Sequence, residues 1–261
     1  MNLTEILVRL SRGEITVAEA QRDISIFSIE SVGDNVAKID LGRDLRKLTP
    51  EVILSEGKDS RDVVRIALSV LAKKSVVVIS RIKEPDRSVI YSSLKRKGFV
   101  IEVGNRSSTI LVSKKILSQV NNTTRPKIGI LAAGTSDIGV AEESRLIAKA
   151  MGCSSLTSYD VGIAGIHRLF PILKEMISRD VSAIIVVAGM EGALPSVVSS
   201  LVDIPVIAVP ASSGYGFGSN GVAALGTMLQ SCSLGLAVVN IDNGIGAGAF
   251  AATIALRRVE K

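Results

Sequence analysis

The sequence predicts an α/β protein: a smaller α/β domain, then a domain built on a doubly wound, five-stranded parallel sheet. Five continuous apolar runs follow residue 127 and alternate with helical stretches, which is typical of parallel strands covered on both faces. A chain of 261 residues is also long enough for two domains. The polar stretch Asn121–Pro126 separates a charged first half from an apolar second half. We therefore expect domains at residues 1–122 and 127–261.

The first domain is predicted to begin with a short helical hairpin. Its second helix opens with Thr16 and Glu19, the spacing of a capping box. An amphipathic helix further along presents one apolar face, made of Val63, Val64, Ala67, Leu68 and Leu71. In chain order, the pattern predicts helices at 3–10 and 16–24, strands at 37–41 and 52–54, the amphipathic helix, a strand at 75–79, a basic helix ending at Gly98, and strands at 99–103 and 109–113.

In the second domain, strands and helices alternate regularly. We predict strands at 127–134, 156–159, 182–189, 205–212 and 235–241, with helices from 136 and at 164–179, 193–201, 221–231 and 247–258. In a doubly wound sheet, ligands bind at the carboxyl ends of the strands, where the strand order reverses. Functional residues are therefore expected directly after each strand.

Composition excludes several classes of function. Two cysteines and one histidine exclude a zinc ribbon, a disulfide framework and a multi-histidine metal centre, so any metal would have oxygen ligands. The net charge of +6 arises in residues 1–125, where basic and acidic residues are mixed and aromatic residues are few, so we expect no nucleic-acid partner. No apolar run is long enough to span a membrane, and the N-terminus is charged. We expect a soluble, cytoplasmic protein.

The first predicted strand of the second domain ends in a glycine turn followed by Thr135, Ser136 and Asp137. Free backbone N–H groups at the start of the next helix, together with the helix dipole, favour a phosphate at this turn. Ser136 or Asp137 could equally serve only as the helix N-cap.

The second and third strands are also followed by polar residues. His167 and Arg168 follow the second strand and could bind phosphate or carry a proton, although a histidine with a purely structural hydrogen bond is the simpler interpretation. Glu191 lies in the glycine-flanked turn after the third strand, where it could instead cap a helix. Because no charged residue occurs at positions 205–240, acidic groups near this site are scarce, which favours a functional role for Glu191.

A glycine- and serine-rich loop containing Ser212, Ser213 and Gly214 follows the fourth strand and is suited to close over a flat ligand, unless it is a plain connection. Cys232 lies between a helix and the last strand. Most cysteines in apolar segments are unreactive core residues, and a helix C-terminus raises the pKa of a thiol. The residue pattern alone therefore favours a structural role for this cysteine.

Four segments resemble the superfamily of aminoimidazole ribonucleotide (AIR) carboxylases and mutases. They are the Thr135–Asp137 turn, the His167-Arg168 pair, the turn from Gly189 to Pro195 and the strand Pro205–Pro210, in that family's order. The family's glycine-rich turn carries a catalytic histidine before its Leu-Pro pair, and this chain has Ala193 there. The proton transfer that defines the purine enzymes therefore has no evident agent.

A closer resemblance, over nearly the whole chain, is to the LarB family of nickel-pincer nucleotide biosynthesis. It rests on Thr49–Ile53, on Glu56–Lys58 and on the strings GMEGALPS, LQSC and VVNIDNG. The resemblance implies a flavodoxin-like, three-layer, AIR carboxylase-like catalytic domain. It also implies that Cys232 is the nucleophile and Glu191 a catalytic acidic residue.

The implied reaction carboxylates nicotinic acid adenine dinucleotide with CO2 and cleaves its phosphoanhydride to release AMP. The resemblance further implies a homo-octamer with its sites at subunit junctions, and phosphoanhydride cleavage suggests Mg²⁺ as cofactor. A purine-type carboxylase or mutase and a non-catalytic nucleotide-binding module are the alternatives. We expect the substrate-binding residues to be Thr135, Ser136, Asp137, Asp160, His167, Arg168, Gly189, Ser212, Ser213, Gly214, Asn240 and Asp242.

Overall fold

The computed structural model describes residues 3–24, 29–32, 37–40, 48–117 and 125–259. The chain divides into two compact units, residues 1–101 with 112–116 and residues 102–111 with 117–261. Residues 121–124 of the predicted linker and Leu41 lie outside the described residues. Within the described ranges, no helix combines the length and apolar character of a membrane span.

The first part of the chain contains short helices and strands. In order they are α1 (Leu3–Ser11), α2 (Val17–Ile24), β1 (Ile29–Val32), β2 (Ala37–Asp40), β3 (Val52–Leu54), α3 (Ser60–Lys73), β4 (Val76–Ser80), α4 (Glu84–Arg96), β5 (Val100–Val103) and β6 (Ile110–Ser113). β1 and β2 form an antiparallel pair, and the other strands form a sheet in the order β3-β4-β6-β5. The sequence pattern missed β1, whose residues Ile29–Val32 are too few for a clear apolar alternation.

Two local predictions can be compared in detail. The capping box is confirmed: the backbone N–H of Thr16 donates to Glu19 Oε2 at 2.7 Å, and the N–H of Glu19 donates to Thr16 Oγ1 at 3.2 Å. The predicted apolar face of α3 was partly wrong. Its buried residues are Val63, Ile66, Ala67, Val70 and Leu71, whereas Val64 and Leu68 are only half-buried.

The second part of the chain forms the predicted parallel sheet. Its elements are β7 (Lys127–Ala132), α5 (Ile138–Ala150), β8 (Ser154–Ser158), α6 (Leu169–Ser178), β9 (Ile184–Ala188), α7 (Leu194–Leu201), β10 (Val206–Pro210), α8 (Val222–Leu229), β11 (Leu236–Val238) and α9 (Gly244–Val259). The strand order is β11-β10-β9-β7-β8, and all four pairs are parallel. This is the flavodoxin-like order, and the α/β class is confirmed.

The order reverses between β7 and β9, which are neighbours although β8 lies between them in sequence. Crossover connections from these two strands leave in opposite directions, so a crevice opens at their carboxyl ends. Every residue of β9 and β10 is buried, as expected for central strands with helices on both faces.

The predicted boundaries differ from the structure at two elements near this edge. Instead of one helix over 164–179, a 3₁₀ segment, Ile163–Arg168, precedes α6, because Gly165 has the non-helical angles φ −133° and ψ 54°. The last strand ends at Val238 rather than Ile241. Asp242 has a positive φ of 55°, so the backbone turns there instead of continuing as a strand.

A buried ionic network surrounds Glu142 and Arg145 of α5. Glu142, whose side chain is 5% exposed, accepts hydrogen bonds from Arg145 Nε and Nη2 at 2.7 and 2.8 Å, from the hydroxyl of Tyr159 and from the N–H of Asn105. Arg145 also contacts Glu102 at 2.7 Å. Burial raises the pKa of the Glu142 carboxyl, but these hydrogen bonds outweigh burial and leave the pKa below its usual value. The same balance, with Lys149 and Arg145 as donors, lowers the pKa of Glu102.

This network predicts a loss of stability in acid. Both folded-state pKa values lie below the ordinary value near 4.5, so the stability from these carboxylates is complete above that pH. It is lost as the pH falls through the lowered folded-state values. We expect Glu142→Gln to lower the free energy of unfolding at pH 7 by about 2 kcal/mol, and the difference from wild type to shrink in acid. Urea unfolding at pH 7 and pH 3 measures both effects.

Glu84→Gln is the matched control. Glu84 pairs with Arg87 at 3.0 Å, but its side chain is 82% exposed, and such surface pairs contribute little. A Glu142→Gln variant that unfolds like Glu84→Gln at both pH values would contradict the stabilising role of the network.

Candidate active site

A cavity of about 250 Å³ lies at the carboxyl edge of the parallel sheet, at the point where the strand order reverses. It is formed by the residues that follow four strands. They are Ala133, Gly134, Ser136 and Asp137 after β7; Gly162, Ile163 and Ala164 after β8; Ala188–Leu194 at the end of β9 and beyond it; and Ser213 and Tyr215 after β10. The predicted location is therefore the location of the cavity.

Asp137 organises the turn after β7. Asp137 is 3% exposed and occupies the N-cap position of α5, but its side chain makes no capping hydrogen bond to the helix. Instead, Asp137 Oδ2 accepts the N–H of Gly134 at 2.8 Å, and Oδ1 accepts the hydroxyl of Ser213 from the loop after β10. One buried carboxylate thus joins the loops of two strands. Ser136 lines the cavity beside it, and exposed Thr135 is not among the lining residues.

The turn after β9 supplies a second carboxylate of the cavity, that of Glu191. Glu191 is exposed, and among the described residues it has no hydrogen-bond or ion-pair partner. Met190 before it has a positive φ of 46°, an uncommon backbone conformation for a side chain of this size. Gly192 has φ 67°, and a Cβ there would lie 2.7 Å from the Cα of Ala224 on α8. The backbone around Glu191 is therefore held in one conformation by close packing.

The loop after β10 is fixed to its neighbours at all three predicted positions, Ser213 by its hydrogen bond to Asp137. Gly214 packs on the turn after β9, since a Cβ there would lie 2.8 Å from the backbone nitrogen of Met190. Ser212 donates its N–H to Asp242 Oδ1 at 2.8 Å, so Asp242 connects this loop to the end of β11. Asn240 Oδ1 accepts a hydrogen bond from the adjacent backbone N–H of Ile241 at 2.9 Å. Ser212, Asn240 and Asp242 do not line the cavity.

Asp160 and Arg168 form an ion pair on the β8 side of the site. Asp160 has φ 59°, and Arg168 also donates to the carbonyl of Gly165, which closes the 3₁₀ segment. His167 is exposed in the same segment. Neither His167 nor Arg168 lines the cavity, whereas Ile163 and Ala164 of this segment do.

Cys232 is exposed and is not among the residues that line the cavity of its own chain. The flanking serines fix its position. The Ser231 and Ser196 hydroxyls are hydrogen-bonded at 2.8 Å, and the Ser233 hydroxyl donates to the carbonyl of Ser196 at 3.0 Å. Ser196 is two residues beyond Leu194, which lines the cavity and begins α7. These hydrogen bonds hold the segment that contains Cys232 against α7, the helix that begins at the cavity. Cys232 itself is exposed.

The sequence interpretation missed Arg106. Its guanidinium donates to the carbonyl of Thr135 at 3.2 Å, and a Cβ on Gly139 would lie 2.6 Å from the carbonyl oxygen of Arg106. The β5–β6 loop therefore packs directly on the start of α5. Arg106 and Thr135 are far apart in sequence, so no local pattern predicts their contact. Gly139 lies where the two backbones approach each other closely, which favours a glycine.

The cavity is suited to an anionic ligand. α5 and α7 both begin at it, and helix N-termini present free N–H groups and a positive dipole end. In the described part of the chain, no group of three or more His, Cys, Asp or Glu side chains is placed to hold a metal. Glu191 is the carboxylate that could share a cation with phosphate oxygens of a ligand, which is how Mg²⁺ is often bound.

Two family models match the chain. The AIR carboxylase model matches residues 127–260, and a LarB/PurE-like N-terminal domain model matches residues 29–114. An uncharacterized protein of Methanocaldococcus jannaschii is 44% identical over 257 residues, which is 97% of each chain. The N5-carboxyaminoimidazole ribonucleotide mutase of the same organism is 32% identical over 129 residues, covering 49% of this chain and 77% of the mutase.

Proposed function

We propose a reaction from one premise: this chain belongs to the LarB family within the AIR carboxylase-like superfamily. The two domain matches support a carboxylase-type function. The proposed reaction is carboxylation of the pyridinium ring of nicotinic acid adenine dinucleotide at C5 by CO2, with cleavage of the phosphoanhydride. The products are pyridinium-3,5-dicarboxylate mononucleotide, a precursor for nickel-pincer cofactor synthesis, and AMP.

The observation that carries the proposal is the cavity at the switch point, within the segment that matches the AIR carboxylase model. The cavity offers two helix N-termini for phosphate oxygens and the carboxylate of Glu191. Ala193, at the N-cap of α7, also lines it. The purine enzymes are expected to carry a histidine at this position, so the cavity lacks their proton donor and needs another way to make a ring carbon nucleophilic.

A thiolate provides that way. The sulfur of Cys232 adds to C4 of the electron-poor pyridinium ring, and the ring electrons move to nitrogen to give a neutral 1,4-dihydropyridine. C5 is then an enamine carbon, and its electron pair attacks CO2 to form the new carbon–carbon bond. Loss of the C5 proton to a base and departure of the thiolate restore the aromatic ring. Thiolate is consumed and regenerated, so no oxidant or reductant is required.

The exposed position of Cys232 suggests that the reaction requires more than one chain. In one chain the thiol is exposed and does not line the cavity. We propose a homo-oligomer, expected to be an octamer, with its sites at subunit junctions. In such an assembly an exposed thiol of one chain can face the cavity of another. Phe217 and Leu234, with relative exposures of 109% and 91%, are large apolar side chains that an assembly would cover.

Glu191 is proposed to act as the base that takes the C5 proton or as the ligand of Mg²⁺. When bound, Mg²⁺ would supply charge neutralisation for phosphoanhydride hydrolysis. Thr135 and Ser136, at the start of α5, are proposed to bind the diphosphate, with the Asp160–Arg168 pair nearby for the ribose or phosphate oxygens. A dry cavity protects the enamine, because water would protonate C5.

The purine-type reaction is the second candidate, favoured by the 32% identity to the mutase over 49% of the chain. The decisive experiment incubates the purified protein with nicotinic acid adenine dinucleotide, Mg²⁺ and ¹³C-bicarbonate, and identifies products by mass spectrometry. A ¹³C-labelled dicarboxylate mononucleotide together with AMP is the expected result. Absence of both from folded protein that binds the dinucleotide would rule out the proposal. A parallel incubation with aminoimidazole ribonucleotide tests the purine reaction.

Glu191→Gln tests the role of the cavity carboxylate. The substitution keeps the size of the side chain and removes its charge, so we expect product formation to fall about 10²- to 10⁴-fold with little change in dinucleotide affinity. Asp203→Asn is the control, because Asp203 is exposed and does not line this cavity. Full activity of Glu191→Gln would remove Glu191 from the mechanism.

A further inference from the structure

A second cavity, of about 280 Å³, lies at the opposite, amino edge of the parallel sheet. Lys127 begins β7, Arg145 and Lys149 lie in the second half of α5, and Arg179 follows α6. Together with Arg125, these residues place five cationic side chains around one cavity, and no acidic side chain is among its lining residues. The candidate active site lies at the other end of the strands, so this basic cavity is a separate feature.

The carboxylates in contact with these side chains do not account for all the positive charge. Glu142 and Glu102 both contact Arg145 at 2.7 Å, Glu102 also contacts Lys149 at 2.6 Å, and Glu175 contacts Arg179 at 2.8 Å. Lys127 donates its ammonium group to the carbonyl of Arg179 at 3.4 Å and has no carboxylate partner among the described residues. Lys127 therefore brings to the cavity a positive charge that no described carboxylate contacts.

Helix dipoles explain only part of this arrangement. α5 and α6 both end near the cavity, and cations near a helix C-terminus are mildly stabilising, which suits Lys149 and Arg179. Lys127 begins a strand and gains nothing from a strand dipole, because strand dipoles nearly cancel. A bound anion would give the charge of Lys127 a partner of opposite sign.

The donors of the cavity define the anion. The Lys127 ammonium group is a point charge with three N–H donors, a group that commonly binds phosphoryl oxygens. Ser155 lines the cavity, and its hydroxyl has no protein partner among the residues the structure describes. We propose that the basic cavity binds a dianionic phosphoryl group, as inorganic phosphate or as the phosphate of a nucleoside monophosphate.

The test measures binding of phosphate and, separately, of AMP to the full chain by isothermal titration calorimetry, with equal ionic strength of sodium chloride as background. We expect saturable binding that Lys127→Gln weakens about tenfold. Lys174→Gln is the matched control, because Lys174 is an exposed cation on α6 that does not line the cavity. AMP that binds no better than phosphate would identify the phosphoryl group alone as the ligand. Tighter binding of AMP, weakened by the same substitution, would show that the nucleoside adds contacts.

Arg179→Gln provides a second variant should Lys127→Gln fail to fold, which thermal unfolding followed by circular dichroism reveals. Absence of saturable phosphate binding would overturn the proposal. It would also be overturned if the cavity variants and Lys174→Gln bound phosphate as well as wild type, since the anion would then occupy another site, including the one at the carboxyl edge. None of these outcomes depends on the carboxylation reaction.

Discussion

Cys232→Ser is expected to abolish carboxylation of the dinucleotide while leaving its binding intact. A serine hydroxyl has nearly the size of the thiol, but at neutral pH it does not ionise and cannot add to the pyridinium ring. Loss of a covalent nucleophile typically lowers turnover by about 10⁴-fold or more. Labelled product measured over time gives the rate, and calorimetric titration with the dinucleotide gives the affinity.

The other cysteine supplies the matched control. Cys153 is buried, and burial raises the pKa of its thiol to about 11, so almost none of it is ionised at neutral pH. Cys153→Ala should therefore retain turnover in protein that remains folded. Alkylation should modify exposed Cys232 and spare Cys153, and the dinucleotide should protect Cys232. Turnover that survives Cys232→Ser would refute the adduct mechanism and return the non-catalytic module to consideration.

The same variant tests whether a site combines two chains. Cys232→Ser and Glu191→Gln are each expected to be inactive, and an assembly mixed from both contains some junctions with an intact thiol facing an intact carboxylate. Activity regained on mixing would support a shared site. No regain, in a mixture shown to exchange subunits, would place both residues in one chain's site and require Cys232 to move to its own cavity.

The sequence was sufficient to predict the parallel sheet because its signal is local and repeated. Short continuous apolar runs that alternate with helical stretches are typical of buried parallel strands, and strands β9 and β10 are buried at every residue. Boundaries were predicted less well where a single backbone angle decides them. Gly165 interrupts a helical pattern, and Asp242 turns the chain by a positive φ that its side-chain type does not dictate.

Five of the predicted site residues line the cavity, whereas contacts between residues distant in sequence were not predicted. Ser136, Asp137, Gly189, Glu191 and Ser213 were predicted and line the cavity. The contact between Arg106 and the Thr135 carbonyl depends on how the β5–β6 loop meets α5, which no local pattern encodes. The exposed position of Cys232 likewise depends on hydrogen bonds of its neighbouring serines to α7.

Asp137→Ala is expected to have the second large effect, because this carboxylate joins loops rather than only facing the ligand. Removing it leaves the Gly134 N–H and the Ser213 hydroxyl without their acceptor, at a cost of about 2–3 kcal/mol in the free energy of unfolding. The turn after β7 and the loop after β10 are then free to separate. A displacement near 1 Å in a catalytic site can cost about 10²-fold in rate, and we expect at least this loss in turnover.

Asp137→Asn distinguishes the joining role from a role for charge. Its side-chain carbonyl can still accept one of the two hydrogen bonds, so stability should recover in part, whereas a role that needs negative charge would leave turnover as low as in Asp137→Ala.

Ser199→Ala is the control for removing a buried polar group, since Ser199 is 7% exposed and lies on α7 away from the cavity lining. Urea unfolding measures stability, and rates over a range of dinucleotide concentrations separate KM from kcat. Because Asp137 orders the turn that we propose binds the diphosphate, KM should rise together with the fall in kcat. An Asp137→Ala variant with the stability and kinetics of Ser199→Ala would show that the carboxylate does not hold the site together.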